Sequence, residues 1–209
     1  MNSSLAEQLH HGLVHLGIAV DNAAEIQLLH YLELLHKWNQ AYNLTAIRAL
    51  PDMVTKHLLD SCAILPFLEG HHILDVGTGA GLPGIPIALL HPQRHVVLLD
   101  SNGKKTRFLK EVQRQLKVKN ITIVNARAEN YHAQTTFDTV VSRAFSDLQH
   151  MIQCTKHLLS PQGIWLAMKG LFPQSELTTI PDSYCVQTHV YQVPELNEHR
   201  CAVIIRQKE

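Results

Sequence analysis

Apolar residues in the first 66 positions recur at the three- and four-residue spacing of amphipathic helices. One such face follows Asn22 and contains Leu28, Leu32, Leu35, Trp38 and Tyr42. Asn22 and Glu25 have the spacing of a capping box, and Pro51 suits the first turn of another helix that ends near Phe67. No β-like alternation precedes residue 70. The pattern predicts a helical N-terminal extension over residues 1–66.

Beyond residue 70, short apolar runs alternate with helical segments. The runs that indicate buried strands cover residues 72–76, 96–99, 121–124, 139–141 and 164–168. Helical patterns cover residues 83–90 and 147–159, and a third helix follows residue 100; residues 161–163 suggest a turn. Two final runs, 185–193 and 200–206, have the pattern of antiparallel strands. Strands that alternate with helices predict an α/β domain over residues 67–209, built on a mostly parallel, doubly wound sheet.

A glycine-rich segment directly follows the first predicted strand. It reads Asp75-Val76-Gly77-Thr78-Gly79-Ala80-Gly81-Leu82-Pro83-Gly84. Glycines at this place let a ligand approach the backbone closely. Gly79, Gly81 and Gly84 match the dinucleotide fingerprint, and Asp100 follows Gly79 by 21 residues, where a carboxylate can bind a ribose diol. This spacing permits NAD, a flavin nucleotide or S-adenosylmethionine.

Two features of the segment favour S-adenosylmethionine. Asp75 would repel a pyrophosphate, but it suits a ligand that carries an ammonium and a sulfonium. The segment also lacks the Lys of a phosphate-binding P-loop. An NAD-dependent oxidoreductase fits the glycines and Asp100 but leaves Asp75 unexplained, and a nonenzymatic nucleotide-binding module is a further alternative.

Composition narrows the class of protein. The 18 basic and 18 acidic side chains give a formal net charge of zero, and 45% of the residues are hydrophobic, which is typical of a globular protein. No apolar stretch has the length of a membrane span, and the first residues lack the pattern of a secretory signal. The four cysteines are widely spaced, so we expect neither disulfides nor a zinc site. We therefore expect a cytoplasmic location.

Charge and histidine content add two observations. Residues 1–60 carry three bases and six acids, whereas residues 101–130 carry eight bases and two acids. The basic block is either a solvated helix face or a surface that faces an anion. The His71-His72 pair and the group Glu195, Glu198 and His199 lack the spacing of metal-binding motifs, so we expect no functional metal.

Several motifs besides the glycine-rich segment follow one another along nearly the whole chain. They are Trp38-Asn39, Asn43-Leu44-Thr45, Leu59-Asp60-Ser61, Leu99-Asp100-Ser101, Arg127-Ala128-Glu129, Ser142-Arg143-Ala144, Lys169-Gly170 and Arg200. In this order they resemble the ribosomal small-subunit RNA methyltransferase G family. Asn125 is a departure, since many relatives have Gly there; Asn tolerates the left-handed backbone that Gly often marks.

The resemblance implies a Rossmann-like class I methyltransferase fold that uses S-adenosylmethionine to make 7-methylguanosine in 16S rRNA. The cofactor-binding residues it implies are Asp75, Gly77, Gly79, Gly81, Leu82, Asp100, Ala128, Glu129 and Arg143. The residues expected to position the RNA are Asn43, His57, Arg127, Lys169 and Arg200. The implied partner is 16S rRNA, as free RNA, in the 30S subunit or in an assembly intermediate. We expect a cytoplasmic monomer that does not bind membranes.

The acceptor atom determines the chemistry that is needed. Guanine N7 carries an in-plane lone pair and no proton, so methyl transfer to N7 needs alignment but no general base. After the fourth predicted strand the chain reads Ser142-Arg143-Ala144-Phe145, which differs from the [ND]-P-P-[FYW] motif of amino-group methyltransferases. A class I methyltransferase with a different acceptor is the alternative within this enzyme class.

Overall fold

The computed structural model describes residues 3–143 and 145–208; Ala144 of the Ser-Arg-Ala motif lies outside them, as do Met1, Asn2 and Glu209. The chain begins with helices α1 (Ser3–His15) and α2 (Asn22–Tyr42). Next come α3 (Leu50–Met53), a π-helical stretch (Val54–Leu59), α4 (Asp60–Cys62) and a 3-10 turn (Leu65–Phe67). The helical extension predicted from the apolar pattern is therefore present. The predicted cap of α2 is wrong by one residue, because Asp21 accepts the hydrogen bond from Ala24 N–H.

The rest of the chain forms one seven-stranded sheet. Its strands are β1 (His72–Val76), β2 (His95–Asp100), β3 (Ile121–Asn125), β4 (Phe137–Ser142), β5 (Leu159–Lys169), β6 (Tyr184–Gln192) and β7 (His199–Gln207). The helices between them are α5 (Gly84–Leu90), α6 (Gly103–Leu116), α7 (Leu148–Thr155) and α8 (Gln174–Leu177). The spatial order is β3-β2-β1-β4-β5-β7-β6.

Strands β1 to β5 pair in parallel, whereas β7 runs antiparallel to both β5 and β6. This confirms the mostly parallel sheet and the final antiparallel pair. The predicted turn at residues 161–163 lies instead within β5, where the register with β4 shifts between Phe137 and Thr139. An irregular register of this kind is compatible with the proline and glycine of that segment.

Both faces of the sheet are covered, as the near-continuous apolar strands require. On one face, Ile73 and Leu98 pack in a single core with apolar residues of α1, α2, α5 and α6. On the other face, Leu74, Val97 and Trp165 pack with α7. The N-terminal helices thus share one hydrophobic core with the sheet. Within the described residues, no helix combines the length and hydropathy that crossing a bilayer requires.

Candidate active site

The turn after β1 is held together by a buried carboxylate. Asp75 is fully buried, and its Oδ2 accepts hydrogen bonds from the Thr78 hydroxyl at 2.6 Å and from Gly84 N–H at 2.7 Å. Burial raises the pKa of Asp75 to about 7. Its Oδ1 has no hydrogen-bond partner within the described residues. Asp75 therefore braces the glycine-rich turn from beneath.

Two glycines of this turn have different physical roles. Gly77 has φ +68°, and a Cβ added there would meet no atom within 4 Å, so the space above it is open to a ligand. Gly81 has φ +97°, but a Cβ there would come within 2.5 Å of Ile85 Cγ1. Leu82 is only 3% exposed and packs in the core beside this segment. Gly77 thus faces open space, whereas Gly81 and Leu82 belong to the packing below it.

A second support of the turn comes from the N-terminal extension. The hydroxyl of Tyr31, which is fully buried in α2, donates a hydrogen bond of 2.8 Å to the carbonyl of Ala80. Burial raises the pKa of Tyr31 well above its ordinary value, so the hydroxyl keeps its proton and donates. The sequence gives no sign of this role, because the helical spacing of Tyr31 is also that of a core residue.

The first cleft, of about 350 Å³, lies at the carboxyl ends of β1, β2 and β3. Its walls include Gly77, Asp100, Lys105, Arg127, Ala128 and Glu129. Asp100 Oδ2 accepts from Gly79 N–H at 2.8 Å, and Oδ1 accepts from Asn102 N–H at 2.8 Å. Asn102, not Asp100, caps α6. Asp100 therefore joins the glycine-rich turn to the end of β2 and also borders the first cleft.

Glu129 is part of a side-chain trio at the rim of the first cleft. The Cys154 thiol lies 3.3 Å from Glu129 Oε1 and 3.5 Å from the ring nitrogens of His150. Burial, assisted by Glu129, raises the pKa of Cys154 to about 11, so the thiol is protonated and donates to the carboxylate. Ligand atoms of the three side chains lie within 4.8 Å of one another. The spacing of His150 and Cys154, four residues apart in a predicted helix, is the signal that could have found this group.

The second cleft, also about 350 Å³, lies on the other side of the segment that leaves β4. It is lined by two acids, the buried Asp60 and the exposed Glu198, and by cationic and neutral polar groups: Lys56, His57, Arg143, Lys169, Tyr191 and Arg200. Arg143 lines the second cleft and Phe145 lines the first, so the two clefts flank this segment. Ligands of open α/β sheets bind at this carboxyl edge.

His57 is an uncharged member of the second cleft. It is only 3% exposed, and burial lowers its pKa to about 4, with help from the Arg143 charge. Its Nδ1 lies 3.1 Å from the Lys56 carbonyl and its Nε2 lies 2.9 Å from Thr45 Oγ1. Since a carbonyl oxygen can only accept, Nδ1 carries the proton and Nε2 accepts from the threonine hydroxyl.

Lys169, at the end of β5, makes close polar contacts with its neighbours. Its Nζ lies 2.7 Å and 3.0 Å from the two carboxylate oxygens of Glu176 and 3.3 Å from the carbonyl of Phe145. Glu176 in turn accepts from the backbone N–H of Leu148. Lys169 therefore ties β5, α8 and the segment between the two clefts to one another.

The structure separates the residues expected at the site into three groups. Four residues that were expected at the cofactor line the first cleft: Gly77, Asp100, Ala128 and Glu129. Arg127, which was expected at the RNA, lines the same cleft. Three residues that were expected at the RNA line the second cleft: His57, Lys169 and Arg200. Arg143, which was expected at the cofactor, lines this second cleft instead of the first.

The remaining residues line neither of these clefts. Asp75, Gly79, Gly81 and Leu82 belong to the turn and its supports. Asn43 caps α2 in the left-handed conformation, with φ 50°, and its Oδ1 accepts a hydrogen bond from Arg48. Asn43 is connected to the second cleft only indirectly: Thr45, two residues further along the chain, contacts His57 of that cleft.

A family model described as "rRNA small subunit methyltransferase G" matches residues 24–204. The chain belongs to this family. A ribosomal RNA small subunit methyltransferase G of Legionella pneumophila strain Philadelphia 1 is 53% identical over 204 residues, which cover 98% of this chain and 96% of the relative. The protein of that name from Pseudomonas syringae is 47% identical over 202 residues, covering 96% and 94% of the two chains.

The fold of this family member is also that of solved methyltransferases. A SAM-dependent methyltransferase from Aquifex aeolicus superposes with a TM-score of 0.59 at 17% identity and covers 74% of this chain and 93% of its own. At this identity the likeness concerns the fold alone. It confirms the class I methyltransferase architecture implied by the family resemblance.

Proposed function

We propose that this chain transfers the methyl group of S-adenosylmethionine to N7 of a specific guanine in 16S rRNA. The observation that carries the proposal is the pair of unlike clefts on either side of the β4 exit, in a member of the methyltransferase G family. The first cleft offers open backbone at Gly77 and the carboxylates of Asp100 and Glu129, with Lys105 and Arg127 beside them. The second offers cations and a neutral histidine.

The first cleft suits the methyl donor. Gly77 leaves space that any side chain would occupy, and Asp100 presents a carboxylate at the end of β2. Asp100 would hold the ribose hydroxyls, and Ala128 and Glu129 would border the adenine. When bound, the cofactor supplies an electrophilic methyl group on a sulfonium. Asp75 contributes indirectly, because it fixes the turn that forms the cleft wall.

The second cleft suits a nucleotide of the RNA. Arginine and lysine bind phosphate and the O6 and N7 edge of guanine. A cation bonded to N7 itself would block the nucleophile, so Arg143 and Arg200 serve the reaction from O6 or from a phosphate. Guanine N7 releases no proton when it is methylated, so a neutral His57 with a pKa of about 4 is compatible with in-line transfer by alignment alone.

The decisive experiment maps 7-methylguanosine in 16S rRNA from cells that lack the protein, by borohydride reduction and aniline cleavage. We expect one cleavage site to disappear and to return with the wild-type gene but not with Asp100→Ala. An unchanged cleavage pattern would remove the proposed substrate. In parallel, calorimetry should detect binding of S-adenosylhomocysteine; binding of NAD in its place would support an oxidoreductase.

The assembly on which the enzyme acts is part of the same proposal. We infer a cytoplasmic monomer that acts on 16S rRNA as free RNA, in the 30S subunit or in an assembly intermediate. Tritiated methyl transfer to naked 16S rRNA and to 30S particles, both isolated from the deletion strain, distinguishes these substrates. Light scattering of the purified protein, alone and with S-adenosylhomocysteine, tests the monomer.

A further inference from the structure

One buried carboxylate lies between two arginines of the second cleft. Asp60, in α4, is only 6% exposed. Its Oδ2 lies 3.7 Å from Arg143 Nη1, and its Oδ1 lies 3.6 Å from Arg200 Nε. Arg143 follows β4 and Arg200 is in β7, so three distant parts of the chain meet at this point. We propose that Asp60 is a positioning residue that holds Arg143 and Arg200 side by side as a clamp for a phosphate of the RNA.

The charge balance leaves the clamp positive. One carboxylate faces two guanidinium groups. Lys56 borders the same cleft but pairs with the exposed Asp52, so it adds no net charge to this balance. The acid at the rim, Glu198, lies 3.0 Å from Arg200 Nη1, but its side chain is 70% exposed, so water screens its charge. The side chains of Arg143 and Arg200 are 25% and 18% exposed, so each retains surface toward the cleft. A guanidinium has five N–H donors, and Asp60 engages only one side of each group.

The two arginines oppose the effect of burial on Asp60. Burial raises the pKa of Asp60, and the charges of Arg143 and Arg200 act in the opposite direction. Its Oδ1 has no hydrogen-bond partner within the described residues, although Arg200 Nε lies just beyond bonding distance. A small inward movement of Arg200 would complete this bond. The arrangement is therefore able to tighten when an anion draws the two arginines together.

A phosphate is the anion that this geometry fits. Paired guanidinium groups recognise the oxygens of phosphate through parallel hydrogen bonds, and phosphates carry the contacts that set the register of a nucleic acid. The carboxylate of the methyl donor is the competing anion. The inference rests on the proposed function, and its tests separate the two anions.

The test uses the full-length protein with Asp60→Asn, Arg200→Gln and the double variant. We expect Asp60→Asn to weaken binding of 16S rRNA about tenfold and to lower kcat/KM by a similar factor. Affinity for S-adenosylhomocysteine should stay within twofold. Because part of the effect of Asp60 is exerted through Arg200, the double variant should lose less than the product of the two single losses. Glu69→Gln, which alters the ion pair with Arg206 at the opposite edge of the sheet, is the matched control and should leave RNA binding and activity unchanged.

Three results would overturn the inference. The first is a double variant whose losses multiply, since Asp60 would then act independently of Arg200. The second is a loss of S-adenosylhomocysteine affinity with RNA binding intact, which would assign the clamp to the cofactor. The third is wild-type RNA affinity in a folded Asp60→Asn protein. If Asp60→Asn does not fold, Asp60→Glu, which retains the charge but displaces the carboxylate, enters the same cycle.

Failure of this inference can be distinguished from failure of the proposed function. The wild-type protein on unmodified 16S rRNA tests the reaction itself. The variant cycle tests only how the arginines are positioned. An active wild-type enzyme with an uncoupled Asp60 would therefore leave the reaction in place and remove the clamp.

Discussion

The two clefts are built in different ways. The first cleft is lined mainly by turns that directly follow neighbouring parallel strands. The second is formed by side chains from helices, from the segment after β4 and from β5 and β7, and ion pairs hold several of these side chains in place. The first cleft therefore depends on local backbone conformation, whereas the second cleft depends on charged side chains that the whole fold brings together. Substitutions should therefore damage the two clefts in different measurable ways.

The largest effect is expected from Asp75→Ala. The change leaves the Thr78 hydroxyl and Gly84 N–H without their acceptor in a buried turn, which should lower the free energy of unfolding by about 2–3 kcal/mol. Binding of S-adenosylhomocysteine should be lost. Urea unfolding and calorimetry measure the two quantities. Thr78→Val removes only one of the two donors and should cost about 1 kcal/mol; full cofactor affinity in Asp75→Ala would refute the bracing role.

Gly77→Ala should separate backbone strain from ligand exclusion. Gly17 offers a matched control, because it has φ +69° and its added Cβ would also meet no atom within 4 Å. Both substitutions should cost roughly 1 kcal/mol of stability for the left-handed backbone. Only Gly77→Ala should also weaken binding of S-adenosylhomocysteine, by about tenfold or more. Equal cofactor affinity in the two variants would mean that the open space above Gly77 is not used.

The two cations Arg200 and Lys169 should differ in their salt dependence. Arg200→Gln should reduce the slope of log Kd for RNA against log salt by about one, as expected for a lost phosphate contact. Lys169 is already engaged by Glu176 and Phe145, so Lys169→Met should leave the slope unchanged and lower stability by about 1–2 kcal/mol. Equal slopes for both variants would contradict this division of roles.

The last prediction concerns His57 and the pH dependence of stability. The pKa of His57 is about 4 in the folded protein and 6.5 in the unfolded chain, so the unfolded chain binds more protons between these values. Wild-type stability should therefore lose up to about 1.4 kcal/mol per pH unit from this group as the pH falls from 6.5 to 4. His57→Gln removes this contribution, and its stability relative to wild type should rise over the same interval. Urea unfolding at pH 7.5 provides the baseline, and a pH-independent difference would refute the shifted pKa.

The residues of the first cleft could be predicted from the sequence better than those of the second cleft. Gly77, Asp100 and Glu129 occupy places fixed by the ends of strands, so motif spacing was enough to bring them together. The burial of Leu82 and Asp75 could not be predicted from the sequence, because the same motif residues can either contact a ligand or pack in the core.

The ion-pair partners of the charged side chains could not be predicted from the spacing of residues along the sequence. Lys169 reaches Glu176 across a turn, and Asp60 contacts Arg200, which lies 140 positions further along the chain. Of the eight bases in residues 101–130, only Lys105 and Arg127 line the first cleft and none lines the second. The charge block predicted a surface, but not which cations reach a site.

The hydrogen bond from Tyr31 to the Ala80 carbonyl has a consequence for synthesis of the chain. Helix α2 emerges from the ribosome before α5 and α6, and its apolar face is fully covered only when these two helices are present. The leucines of α2 that face these helices therefore stay uncovered until about 116 residues have been made. Closure of the glycine-rich turn then coincides with burial of those leucines, so the first cleft is completed in the same folding step that removes the exposed apolar surface.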